Sequence, residues 1–442
     1  MGITRRGVLA FGVAALAQPL TWTFGQAQTG PDAATIDAAW RYLLARALVV
    51  RQEKTDRASD DFAFNAIRYN PLGSADFVNP NFDVAYLEAW IAVDDDSFVL
   101  LEVPRIEGRY YTAQILDEWG EVIANVNERS FPEQPFGRFA LVKPGSVVDI
   151  PEDAGRIVLH SSKAKLLGRV ELKGDPESAV ALQRQFTLTA SGTPKILPPP
   201  ELPDFDNAKL IGVELFEHAD ALLASALDVA PNAAAMQEKV RAVAGLVASG
   251  PEGRATVGAV LDASIPRFID DALTKSAPYR NHWIGGGATG NYGSNYFLRA
   301  AVNYAGIWAN TADEVIYFVA TRDAGEAPLD GGRSYVMHFP ADALPESVVD
   351  AYWSVILVGV PDYRVVQNDL KRYNFNSYSG LEKEADGSLK IGIGPKPVAG
   401  VPQANWLPSA AGKPFSLTYR TYVPKEVVRS GDWQPPAVTR VD

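Results

Sequence analysis

The chain has 442 residues, with 41 Lys+Arg against 53 Asp+Glu, 47% apolar residues and no cysteine. So many apolar and aromatic side chains exclude a disordered chain, and the missing thiols exclude disulfides, thiolate metal sites and cysteine nucleophiles. The acidic balance, with no clustered Lys/Arg stripe, excludes nucleic acid as a partner.

Residues 1–27 read as a twin-arginine signal peptide: Arg5-Arg6, a short apolar stretch over 8–17, and the small-residue end Gly25-Gln26-Ala27. The apolar stretch is shorter than the roughly 20 residues a membrane span requires. The expected mature protein begins near Gln28, is periplasmic or secreted, and keeps no stable membrane span once the signal is removed.

Residues 33–51 have helical period, with Ile36, Trp40, Leu43, Leu44 and Ala47 on one face. From about Phe62 the period becomes two. Runs at 86–93, 97–103, 110–116, 122–126, 138–142 and 156–160, parted by turn residues such as Lys143-Pro144-Gly145, predict an antiparallel sandwich. The stretch 191–203 reads as a linker, because its prolines withhold donors and disfavour helix in the residues before them. Residues 206–273 are Ala-rich with helical period, and a further helix is expected over 294–308. Strand-like runs return at 315–320, 334–339, 353–358, 363–367, 389–393 and 415–422, a second β domain of jelly-roll type. The expected division is a signal peptide at 1–27, an N-terminal helix plus β-sandwich at 28–195, a linker and helical segment at 196–310, and a C-terminal β-sandwich at 311–442.

Several motifs have plainer readings than their best-known functions. Gly285-Gly286-Gly287-Ala288-Thr289-Gly290 satisfies G-x-G-x-x-G, but no buried strand is expected before it and no βαβ unit surrounds it, so it reads as an approach to a helix. Ser162-Lys163-Ala164-Lys165 satisfies S-x-x-K in an expected turn rather than at the start of a helix, and no K-T-G companion exists. The four histidines, at 160, 218, 282 and 338, are scattered, and His338 alternates with Tyr335, Met337 and Phe339 so that it faces away from them. The acids Asp94-Asp95-Asp96 read as a solvated turn. No metal and no cofactor is expected.

Three polar-aromatic clusters carry more chemistry. The first is Asn81-Phe82-Asp83-Val84-Ala85-Tyr86, entering a strand; in the second, alternation puts Arg109 and Tyr111 on one face and Tyr110, Thr112 and Gln114 on the other. The third is the C-terminal strand, where Arg420 and Tyr422 share a face. Arginine beside tyrosine can grip a carboxylate or stack on a sugar ring. It can equally be structural, with Arg109 forked to Asp83 or Asp117.

At these clusters the sequence resembles the exported two-domain family of domains of unknown function 1254 (N-terminal) and 1214 (C-terminal). The resemblance covers nearly the whole mature chain. It rests on Asn81, Asp83 and Tyr86, on Gly108-Arg109-Tyr110-Tyr111 with Gln114 and Asp117, and on Asn291-Tyr292-Gly293 with Arg299-Ala300-Ala301. Further matches are Leu329-Asp330-Gly331 with Tyr335 and Phe339, Trp353-Ser354, Arg372-Tyr373, Asp386-Gly387-Ser388-Leu389, Asn405-Trp406-Leu407-Pro408, and Arg420 with Tyr422. The resemblance implies a fold that is mainly β with a helical insert: an N-terminal immunoglobulin-like sandwich, a central α-helical segment and a C-terminal jelly-roll-like sandwich. It implies no reaction. Two departures stand out: Val84, Ala85 and Leu87 replace the usual Thr-Leu-Tyr-Ser pattern around Tyr86, and Trp353-Ser354 runs on into apolar residues where an acid is usual.

Two kinds of function remain open at this point, a catalytic one and a non-catalytic one that takes two forms. One is a hydrolase- or lyase-type enzyme on a small or oligomeric substrate between the two β domains, with Asp83 as base, Arg109 and Arg420 orienting an anionic or carbonyl group, and Tyr111 as acid or donor. Asn81, Tyr86, Gln114, Tyr373, Trp406, Arg420 and Tyr422 would line its ligand site. The other is a non-catalytic carbohydrate or small-molecule binding protein, with Trp406, Tyr422 and Tyr373 as a stacking platform, or a structural envelope protein that assembles as a homo-oligomer.

Overall fold

A computed structural model describes residues 30–73, 80–360 and 363–442; the expected signal peptide lies outside the described residues. Helix α1 (Ala33–Arg57) starts at Asp32, whose side chain accepts from the Thr35 backbone N–H. It runs beyond the expected end at residue 51 because Glu53, on the extra turns, is buried and pairs with Lys163 at 2.7 Å.

The N-terminal sandwich contains β1 (Arg68–Tyr69), β2 (Val84–Ala92), β3 (Phe98–Val103), β4 (Tyr111–Leu116), β5 (Val122–Val126), β6 (Gly137–Val142), β7 (Ala154–Val158), β8 (Lys163–Glu171) and β9 (Thr187–Ala190). One sheet has the order β1-β2-β8-β4-β5 and the other β7-β6-β3-β9, with all pairs antiparallel except β6–β7. Leu87, Ile91, Leu101, Ile115, Phe139 and Leu166 fill the space between them. The S-x-x-K expectation is corrected here: Lys163 and Lys165 open a strand, not a turn, and both are buried in ion pairs, with Glu53 and with Glu88 at 2.8 Å respectively.

Helix α2 (Pro176–Gln183) packs on β2 and β8. After the proline-rich stretch come α3 (Glu214–Glu217), α4 (Ala219–Ser225), α5 (Ala233–Ala248), α6 (Pro251–Thr274) and α7 (Tyr296–Ala305). They enclose α1, which is apolar on nearly all sides: Trp40, Leu43, Leu44 and Leu48 share one core with Val240, Leu261 and Phe268.

The C-terminal sandwich is built from β10 (Tyr279–Arg280), β11 (Trp283–Gly285), β12 (Val315–Ala320), β13 (Tyr335–Phe339), β14 (Trp353–Gly359), β15 (Asn374–Asn376), β16 (Leu389–Gly394), β17 (Trp406–Pro408), β18 (Phe415–Tyr422) and β19 (Thr439–Arg440). Its sheets run β10-β11-β12-β18-β14-β15 and β17-β16-β13-β19 around Phe318, Met337, Phe339, Trp353, Leu417 and Tyr419. The expected strand at 363–367 is replaced by a single bridge, Val365 to Val358, because Tyr363 adopts φ +53°, which breaks an extended run. The glycine-rich motif does follow a strand, the short antiparallel β11. Its glycines serve close approach: a Cβ on Gly285 would stand 2.3 Å from the Tyr317 carbonyl oxygen.

Candidate functional site

Each sandwich turns one sheet face toward the other. On the N-terminal side, Tyr111, Ala113 and Ile115 point into the sandwich core, so Thr112 and Gln114 point out of it; the register sets Thr112 beside Arg169 and Arg169 beside Tyr86. On the C-terminal side, Phe318 and Tyr419 fill the core, and the opposite face carries a cross-strand row Tyr317–Arg420–Ser354–Asn376. The two rows meet in a buried polar seam: Arg169 feels the phenols of Tyr86, Tyr317, Tyr110 and Tyr422, and Arg420 feels Tyr422, Asp83, Tyr317 and Tyr86.

The segment before β2 docks this seam. Asn81 accepts from the Asp83 backbone N–H at 2.8 Å and donates to the Tyr422 hydroxyl at 2.5 Å. Asp83 Oδ1 accepts from Asn374 and Asn376, both at 2.8 Å. Burial pushes the Asp83 carboxyl above its usual range, against the downward pull of Asn376, Ser354, Arg420 and Asn374. Arg420 Nη2 donates to the Pro80 carbonyl at 3.2 Å. Farther along, Tyr110 donates to Glu314 at 3.0 Å, Arg129 pairs with the same carboxylate at 2.7 Å, and Tyr352 stacks on Tyr422 at 4.1 Å. Burial, reinforced by Glu314, holds the Tyr110 phenol far above its usual value, so it is a neutral donor.

Arg169 differs from the other deeply buried cations. It is 5% exposed, Nη1 donates to Gln114 Oε1 at 2.6 Å, and its guanidinium lies 5.4 Å over the Tyr86 ring. Gln114 is fixed in turn by donating to the Ala309 carbonyl at 2.8 Å. Among the described residues no carboxylate comes within 4 Å of Arg169, and neither the Tyr86 nor the Tyr317 hydroxyl has a hydrogen-bond partner. Those two tyrosines, packed on the tyrosine cluster between the sheets, are half-buried. At the edge of the seam a cleft of about 240 Å³ opens between the domains, lined by Phe82, Asp83, Lys173, Tyr352, Asn376 and Tyr378.

The seam thus gathers Asn81, Asp83, Tyr86, Gln114, Arg420 and Tyr422 from the residues singled out in the sequence. Tyr373 is nearby, tilted on Phe82 at 5.7 Å with its hydroxyl on Gln367. Three candidates sit elsewhere. Tyr111 is inside the N-terminal sandwich and donates to the Pro135 carbonyl at 2.8 Å. Arg109 is spent on the Glu171 and Leu172 carbonyls, at 2.5 and 2.6 Å, rather than on Asp83 or Asp117. Trp406 lies in the outer C-terminal sheet, donating to the Gly394 carbonyl at 2.9 Å. Asp117 instead caps the Trp119 and Glu121 backbone N–H groups and contacts His160 at 2.7 Å. Sequence reading missed Arg169, Tyr317 and Glu314. The signal for Arg169 was the alternation of Ala164, Leu166 and Val170 with Lys163, Lys165 and Arg169, which defines a strand with one charged face. Among the described residues, no group of three or more His, Asp or Glu is placed to hold a metal ion, and no helix is long and apolar enough to cross a membrane.

Two β-sandwiches with a helical layer and a shared buried polar seam define a two-domain β protein whose polar-aromatic cluster lies between its domains rather than within either. The matches to known families fall on the same two units: "Protein of unknown function (DUF1254)" over residues 62–190 and "Protein of unknown function (DUF1214)" over residues 314–426. The chain belongs to the family that combines these two domains. No curated protein matches it. Among solved structures, the VPA0106 protein from Vibrio parahaemolyticus is 20% identical, with a TM-score of 0.67 over 93% of this chain and 100% of that one, a likeness of fold. An uncharacterized protein from Burkholderia cenocepacia is 12% identical, with a TM-score of 0.42 over 91% of this chain and 87% of that one.

Proposed function

We propose that the protein is an exported binding protein that takes a small molecule between its two β domains. The observation that supports this reading is the pair of half-buried tyrosines from opposite domains beside Arg169, Tyr86 and Tyr317, whose hydroxyls have no hydrogen-bond partner among the described residues. Elsewhere the same interface closes its polar groups on one another, as it does the Tyr110 hydroxyl on Glu314 and Asn81 on Tyr422. The test is calorimetric titration with small-molecule pools, sugars included, on the wild type and on Tyr317→Trp, which removes the hydroxyl and enlarges the ring beside Arg169. Saturable binding lost in Tyr317→Trp supports the seat; binding that survives it places the ligand elsewhere.

The hydrolase or lyase reading is the second, supported by the raised proton affinity of Asp83, a property a general acid–base group needs. It would work without Arg109 or Tyr111 at the reacting atoms. Product formation abolished by Asp83→Asn, with ligand binding retained, would favour it over simple binding. Export by the twin-arginine route to the periplasm or medium belongs to the same proposal; Lys at both Arg5 and Arg6 should block it, and undiminished export of that double variant would refute it.

A further inference from the structure

We infer that the seat at Arg169 receives an anionic group, a carboxylate or a phosphoryl, from its ligand. This rests on the reading of the seam as a ligand seat and adds the chemistry of what enters it. A guanidinium removed from water requires compensation by an opposite charge or several acceptors. The chain supplies that everywhere else in its interior: Arg46 pairs with Glu118 at 3.1 Å, Arg299 with Asp228 at 2.8 Å, Lys163 with Glu53 at 2.7 Å, and Arg420 has Asp83 beside it. Arg169, equally buried, has the neutral Gln114 amide and the face of Tyr86.

The groups beside Arg169 are rich in donors. Arg169 contributes N–H donors in a planar fork, and Tyr86 and Tyr317 contribute O–H donors; burial keeps the Tyr317 phenol protonated. Gln114 Oε1, the acceptor closest at hand, is already occupied by Arg169, and its amide nitrogen is turned to the Ala309 carbonyl. A cationic fork flanked by two hydroxyls that can donate favours a guest of opposite charge. The fork of Arg169 matches two oxygens of a carboxylate or a phosphoryl group, and the phenols can bond the remaining lone pairs. A sugar hydroxyl or an amide could bond the phenols but would leave the charge of the guanidinium uncompensated.

The experiment titrates wild type, Arg169→Gln and Tyr317→Phe with sodium benzoate, inorganic phosphate and benzamide, the neutral counterpart of benzoate, and records unfolding midpoints of each unliganded protein. Binding of benzoate or phosphate but not of benzamide, weakened at least tenfold in Arg169→Gln and severalfold in Tyr317→Phe, is the expected result; which anion binds distinguishes a carboxylate guest from a phosphoryl one. Unliganded Arg169→Gln should unfold at or above the wild-type midpoint, because it removes an uncompensated buried charge. Benzamide binding as well as benzoate would overturn the anion while leaving the seat. Absence of anion binding to wild type, or equal binding to Arg169→Gln, would overturn the inference. A large fall in the Arg169→Gln midpoint with no ligand response would overturn inference and seat together, since Arg169 would then be a structural brace.

Discussion

Arg109 and Arg169 carry the same side chain in opposite surroundings, and their partners separate their roles. Arg109 satisfies the carbonyls of Glu171 and Leu172, where β8 ends. Arg109→Ala should therefore lower stability by about 1–3 kcal/mol through these carbonyls and that of Asp175 left short of a donor, with ligand binding intact; a urea midpoint together with a titration checks both halves. Glu121 offers a pH test. It is buried, accepts from the Tyr292 backbone N–H at 3.0 Å and stands 3.5 Å from Arg299. Burial pushes it up to about 7, with Asp117 and Asp228 adding repulsion and Tyr292 and Arg299 opposing. Between its unfolded value of 4.5 and about 7 the folded state holds a proton that the unfolded state has lost. Stability accordingly falls as pH rises through that window and levels off above it, with Glu121 contributing up to roughly 3 kcal/mol of the fall. Glu121→Gln should flatten the profile between pH 5 and 7.5; an unchanged slope would assign the loss to other groups.

At the level of elements, what was legible followed local period. The runs at 122–126, 315–320 and 415–422 were read with the bounds they have as β5, β12 and β18, because each alternates or is continuously apolar between strong turn signals. The start of β8 reads as a turn for a physical reason: Lys163 and Lys165 mark a solvated loop unless their counter-ions are known, and those come from α1 and β2, some 75 to 110 residues away in sequence. The three-residue β15 carries too few positions to show a period, yet it supplies both asparagines that fix Asp83. Glycines give an element-scale prediction with its own control. Gly290 sits at φ +79°, and a Cβ there would stand 2.8 Å from the Asn310 carbonyl carbon, whereas Gly245 in α5 has nothing within 4 Å. Gly290→Ala should destabilise by about 3 kcal/mol, and Gly245→Ala should be neutral or stabilise by up to about 1 kcal/mol. Thermal midpoints moving equally in the two variants would contradict that account of the glycine-rich motif.

On the scale of the whole molecule, two sandwiches and a helical layer followed from composition and period, but the seam did not. Alternation says that Gln114, Arg420 and Tyr422 leave their own cores; it cannot say that two such faces meet, since that depends on how one sandwich is set against the other through α1 and α7. The same blindness explains why Tyr111 and Trp406 looked functional: an aromatic beside an arginine reads alike whether it faces a core, an outer sheet or a partner domain. With the two faces in place, the residues divide by environment, Asp83 tied to asparagines, Arg129 to Glu314, and Arg169 to no carboxylate. The central claim is that Arg169, with Tyr86 and Tyr317, forms a seat for a guest. A high-resolution diffraction structure of the protein purified from cells tests it most directly: the account predicts non-protein density within hydrogen-bond distance of Arg169 and of the Tyr86 and Tyr317 hydroxyls. Those hydroxyls bonded directly to protein groups, with the space between the sheets closed, would contradict it.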